Sequence, residues 1–160
     1  MTIYVDINIL KWMSRAKPVP FETTLRVRDC CLCLHVQRAA RALARRFDEA
    51  LRPFGLTNGQ FSLLMSLNRP EPPGMASVAA LLSVDRTTLT AALKPLERRG
   101  LVKVITDLAD HRSRRLTLTS DGEALLASAV PVWEQIHREV EAQLTEVNPD
   151  DLRLGLLALS

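Results

Sequence analysis

Six residues between Arg86 and Arg98 present the most concentrated polar chemistry of this 160-residue chain. Arg86, Thr87, Thr90, Ala91, Lys94 and Arg98 share one side of the stretch SVDRTTLTAALKPLERRG, Ser83 to Gly100. Leu89, Leu93 and Leu96 recur at four and three residues on the other side, which is the spacing of a buried helical stripe. The polar side is basic, rich in hydroxyls and, beyond Asp85, reads as free of carboxylates. Guanidinium and ammonium groups donate to guanine edges and phosphates, hydroxyls reach either, and a small residue such as Ala91 permits close approach. A helix laid into a DNA major groove needs all of these. An ordinary amphipathic helix also shows a basic face to water, so the face alone leaves both readings open. A second group of reactive side chains, Cys30, Cys31, Cys33 and His35, crowds into six positions. Cys30 and Cys33 are three apart and Cys31 and His35 four apart, so each pair shares a helical face.

The elements that must position these groups are legible from caps and periodicity. Asp85 is placed to cap the helix that follows, with Val84 and Leu89 as a hydrophobic staple around the cap. Gly100 can close the far end in a left-handed conformation. Upstream, Thr57 and Gln60 form a capping box for a helix running to about Asn68, and the turn RPEPPG (Arg69 to Gly74) stops it. A short helix over about Ser77–Leu82 follows, then the tight connection Ser83-Val84. Short helix, tight turn and capped basic helix make a helix-turn-helix.

After Gly100 the hydrophobic period shifts from about 3.6 to 2. LVKVIT (Leu101 to Thr106) and RRLTLT (Arg114 to Thr119) read as two strands around the polar loop DLADHRS, a hairpin wing. Pro95 should bend the basic helix and leave its first half to face the groove. Two longer helices flank this unit. One is expected over about Arg26–Arg52, with Leu32, Val36, Ala39, Leu43, Phe47 and Leu51 as its stripe and Pro53 as its stop. The other starts at the Thr119 cap, carries Ala129, Trp133, Ile136, Val140 and Leu144, is kinked at Pro131 and breaks at Asn148-Pro149. A closing helix from Asp151 is rich in leucine. These apolar ends predict a covering partner, most simply a second copy of the chain. Residues 1–25 read as an N-terminal arm.

Composition sets bounds. Net charge is only +3, so a nucleic-acid site must come from clustering of charge. Clustering is present: Arg86, Lys94, Arg98, Arg99, Lys103, Arg112, Arg114 and Arg115 fall within thirty positions, while acids concentrate between Glu134 and Asp151. No apolar run is long enough to span a membrane, the N-terminus is not read as a signal peptide, and three adjacent cysteines are not a secreted disulfide framework. The cytoplasm is the expected compartment. No Gly-rich phosphate loop, HExxH motif or nucleophile–base pair argues for an enzyme, and no cofactor or metal is expected.

With these features in hand, the chain resembles the MarR family of winged-helix transcriptional regulators. The resemblance rests on DRTTLTAALKPLERRGLV (Asp85 to Val102), DHR (Asp110 to Arg112) and LTLTSDG (Leu116 to Gly122), in the family's order and spacing. It implies a mainly α fold with a small β-hairpin wing. The winged helix-turn-helix would cover 56–119 within a MarR-type domain, 26–160, and helices in 26–53 and 120–160 would form the dimer. It further implies a homodimer on a pseudopalindromic double-stranded operator, a repressor released by a small-molecule ligand. Arg86, Thr87, Thr90, Ala91 and Lys94 would face the major groove and Arg112 the neighbouring minor groove. Asp110 would hold the Arg112 guanidinium, cap the hairpin turn, or both. Lys103, Arg114 and Arg115 would be phosphate contacts or solvated wing charges. Small aromatic acids would bind between the dimer helices and the winged domain.

Three readings of the cysteines stand side by side: small apolar residues at an interface, a redox sensor, and a metal site with His35. The redox reading rests on CLHVQRAAR (Cys33 to Arg41), which is similar to the reactive-cysteine segment of hydroperoxide-sensing members and places Cys33 at the sensing position. Those members set tyrosines near the thiol, whereas the one tyrosine here is Tyr4. A protein-interaction module without DNA is the alternative of a different class, and it would need neither the basic face nor Arg112.

Overall fold

A computed structural model describes residues 18–107, 110 and 113–159. The chain divides into two units, up to Arg41 and from Ala42 onward, which are described separately. In the first, α1 spans Phe21–Cys30 and the next helix, α2 (Leu32–Leu51), begins. One continuous helix over Arg26–Arg52 is therefore not what forms. Pro20, with φ −60°, stands at the N-cap and starts the helix five residues earlier than expected, within the expected N-terminal arm. Residues 1–17 of that arm lie outside the described residues. Cys31 takes an extended conformation (ψ 103°) and interrupts the helix, its carbonyl accepting the first bond of α2 from His35 N at 3.1 Å. Cysteine is a weak helix former, and three in four positions make this the segment least able to resist a break.

In the second unit α2 ends at Leu51 and a 3₁₀ turn, Arg52–Phe54, carries Pro53. Then follow α3 (Asn58–Leu67), α4 (Met75–Leu81), α5 (Arg86–Arg98), β1 (Val102–Thr106), β2 (Arg114–Leu118), α6 (Ser120–Glu141) and α7 (Pro149–Leu157). The strands pair antiparallel, Val102 opposite Leu118 and Thr106 opposite Arg114. The core gathers Phe47 and Leu51 of α2, Phe61 and Leu64 of α3, Val78 of α4, the α5 leucines, Leu116 of β2 and Leu126 of α6. Helix α3 lies centrally, packed against α4, α6 and β2.

The three expected N-terminal caps form, that of Asp85 at the start of α5 among them. Thr57 and Gln60 make the complete capping box of α3, and Thr119 Oγ1 accepts from Gly122 N at 3.1 Å at the start of α6. Pro95 and Pro131 are accommodated inside α5 and α6, which continue through them. Helix α6 stops at Glu141, short of the expected break at Asn148. Gln143 N and Leu144 N bond three residues back, to Val140 and Glu141, and this tightening ends the helix before Leu144 can join its stripe. Asn148 instead caps α7 through a side-chain oxygen 2.8 Å from Asp150 N.

Candidate nucleic-acid interface

The turn before α5 fixes where its polar face points. Ser83 adopts φ +50°, an uncommon left-handed conformation for serine. Val84 N bonds back to Ala79 O at 3.0 Å and Leu82 N to Val78 O at 3.0 Å. This is the closure that usually uses glycine after a helix, and it packs the turn of the helix-turn-helix into two residues. Asp85 then caps α5 twice: Oδ1 accepts from Thr88 N and Oδ2 from Thr88 Oγ1, each at 2.8 Å. The Thr88 N–H, and then its hydroxyl, hold the Asp85 carboxyl below the usual carboxylate range.

With the leucines of α5 buried, Arg86, Thr87, Thr90, Ala91, Lys94 and Arg98 are all exposed, as their spacing predicts. Thr90 Oγ1 donates to Arg86 O at 2.7 Å, which commits its proton and leaves the hydroxyl oxygen able to act only as an acceptor toward a ligand. The face is not free of carboxylates, however. Glu97 is exposed and lines one shallow depression with Lys94 and Arg98, three and one positions away. The purely basic and hydroxyl part is the first half of α5, and Arg98 lies beside the acid.

Two of the clustered arginines are structural. Arg99 turns back from the end of α5, with Nη1 donating to Gly55 O at 2.6 Å and Nη2 to Phe54 O at 3.2 Å. Arg115, expected as a phosphate contact or solvated charge, instead donates from Nε to Asp107 Oδ2 at 2.6 Å and from Nη1 to Pro72 O at 3.0 Å. Neither contact was legible locally, because each joins segments more than forty positions apart. The Asp107–Arg115 pair itself spans the loop end of the hairpin, a relation that a strand register drawn from sequence can suggest.

At the hairpin turn, Asp110 Oδ2 accepts from Ser113 Oγ at 2.7 Å and its carbonyl from Ser113 N at 2.8 Å, so the turn-capping role is present. Arg112, the expected minor-groove residue, lies outside the described residues. Lys103 and Arg114 are exposed, and Arg114 Nη1 lies 3.4 Å from Ser113 O.

Away from this face, an apolar cleft of about 340 Å³ opens between α3, the end of α4 and α6. Phe61 and Trp133 form its aromatic walls with ring centroids 6.0 Å apart, and Met65, Ser66, Asn68 and Arg69 complete much of it. His137 also stacks on Trp133, with ring centroids 4.8 Å apart. In the first unit, Cys30 and Cys33 are exposed and Cys31 half-buried, all three as free thiols. Gln37 Nε2 donates to Cys33 Sγ at 3.1 Å, and His35 Nε2 lies 3.2 Å from Asp29 O. Among the described residues no three His, Cys, Asp or Glu side chains gather as metal ligands.

Comparison with known proteins settles the lineage. The family model described as MarR family matches residues 56–113. Transcriptional regulator HosA of Escherichia coli O157:H7 is 34% identical over 92 residues, 56% of this chain and 67% of that protein. The M. tuberculosis transcriptional regulator MOSR, solved in complex with DNA, is 40% identical over 81% of this chain and 92% of its own, with a TM-score of 0.73. The chain belongs to the MarR family. It is also similar to the transcriptional repressor CouR, solved bound to a 23-mer DNA duplex. That likeness is 29% identity over 89% of this chain and 96% of that one, with a TM-score of 0.67. The family model begins at Leu56 and ends at Ser113, so it covers α3, the helix-turn-helix and most of the wing. No helix among the described residues is long and apolar enough to cross a membrane.

Proposed function

We propose that this MarR-family protein is a cytoplasmic transcriptional regulator that binds a pseudopalindromic double-stranded operator as a homodimer and represses until a small aromatic ligand releases it. The observation that carries the reading is the first half of α5. It is a doubly capped helix whose exposed side is Arg86, Thr87, Thr90, Ala91 and Lys94, set by a two-residue turn on a rigid core. Arg86 and Lys94 offer donors to guanine and phosphate. Thr90, with its proton committed to Arg86 O, offers an acceptor and a methyl to base edges. Arg112 at the wing tip would enter the flanking minor groove, and Arg114 and Lys103 would meet phosphates. Arg98, beside Glu97, contributes least. The Phe61–Trp133 cleft is the natural seat for a planar aromatic acid, with Arg69 at its rim to meet the carboxylate.

Selection from random-sequence duplexes with the purified protein tests this reading. The enriched sequences should be two-fold related. Arg112→Ala should weaken binding to every selected site and flatten its salt dependence, whereas Thr90→Val should cost about 1–3 kcal/mol at one base position. A protein that enriches no duplex, even at low salt, would overturn it.

A further inference from the structure

A two-stranded hairpin is marginal by itself, so something must hold the wing at a fixed angle to α5. The turn that precedes α4 does this. Leu116 N donates to Pro73 O at 2.9 Å, and Gly74 bridges antiparallel to Arg115, so residues 73–74 act as a short third strand along the outer edge of β2. Arg115 adds the side-chain tie. Its Nε meets Asp107 Oδ2 at 2.6 Å where the strands enter the hairpin loop, and its Nη1 meets Pro72 O at 3.0 Å. The Asp107 side chain is only 14% exposed and that of Arg115 39%, so the pair is partly withdrawn from water. Two of the three guanidinium nitrogens are thus engaged, and the adjoining carboxylate cancels the charge that a phosphate would seek.

We propose that Arg115 is a wing-positioning residue: bridging Asp107 and Pro72, it sets where the hairpin tip meets DNA without touching DNA itself. This rests on the DNA-binding reading above. Removing the tie leaves α5 in place but lets the hairpin tip, which carries Arg112, sample other positions, and the contact at that tip is lost.

The two possible roles of Arg115 separate in the Asp107→Asn variant. If Arg115 contacted phosphate, removing the neighbouring acid would leave binding unchanged or tighter, and Arg115→Lys would largely preserve it, since lysine binds phosphate as a point charge. As a positioning residue, Arg115 needs its fork to span two partners, and lysine cannot do so. On a duplex selected by the wild-type protein, Asp107→Asn and Arg115→Lys should each weaken binding roughly tenfold and add nothing further in an Arg112→Ala background. Hydroxyl-radical footprints of both variants should lose minor-groove protection, while protection of guanine N7 from dimethyl sulfate in the major groove should be kept. Equal or tighter binding by Asp107→Asn overturns the proposal, as does loss of both protections together, which marks general unfolding. A wild-type protein that selects no duplex overturns the DNA reading itself, and the proposal with it.

Discussion

Gly122 has no room for a methyl group. A Cβ built there would stand 2.1 Å from the carbonyl oxygen of Leu101. That oxygen accepts Thr119 N at 3.0 Å, and Thr119 Oγ1 donates to Gly100 O at 2.6 Å. The segment leaving α5, Gly100 and Leu101, and the start of α6 therefore touch through bare backbone, and only glycine allows it. Gly122→Ala should destabilise the protein by about 1–3 kcal/mol, although alanine is the better helix former. Urea unfolding measures this, and an unchanged midpoint would mean the contact is not held in solution. In the sequence, Gly122 is legible only as part of LTLTSDG. The motif marks the position, but the reason lies in a carbonyl twenty-one residues earlier, which no local pattern reveals. The same holds for Arg115 and Arg99: their types are visible in the sequence, but their long-range partners are not.

Helix ends are the features that sequence conveys best, because cap and capped group are near neighbours. Thr57 with Gln60, Asp85 and Thr119 all cap as their positions predict. The failures have the opposite character. The break at Cys31 and the early end of α6 are settled by weak propensities and backbone tightening that leave no sharp mark. Asp85 gives a test at this scale. Because Thr88 holds its carboxyl below the usual range, the folded chain binds that proton less readily than the unfolded one. Its contribution is therefore complete above about pH 4, the ordinary carboxylate value, and is lost as pH falls through the lowered folded value. Asn caps comparably and does not titrate. The thermal midpoint of the wild type, measured against Asp85→Asn by circular dichroism, should be flat above about pH 5 and fall progressively below about pH 4. A difference independent of pH would remove the cap from that role.

At the scale of the molecule, α7 is held through one polar edge. Arg153 reaches both Glu141 at the end of α6 and Asp150 within α7. Apolar side chains meanwhile face outward: Leu154 and Leu157 of α7, and Leu159 just beyond it, are each about two-thirds exposed. In the proposed homodimer that surface is covered. Leu154→Glu with Leu157→Glu should halve the mass seen in sedimentation equilibrium and weaken operator binding by at least about a hundredfold, the loss expected when two half-sites are no longer engaged together. A double variant that stays dimeric would take α7 out of the contact. The turn between α3 and α4 has a consequence of another kind. Asn68 and Arg69 edge the aromatic cleft, and three residues later the carbonyls of Pro72 and Pro73 grip the hairpin. Pro70, Pro72 and Pro73 fix their own φ angles, so this span has few torsions left in which to absorb a displacement. Cleft rim and wing are thus joined by one short, torsionally restricted span, through which a load applied at the first would be delivered to the second.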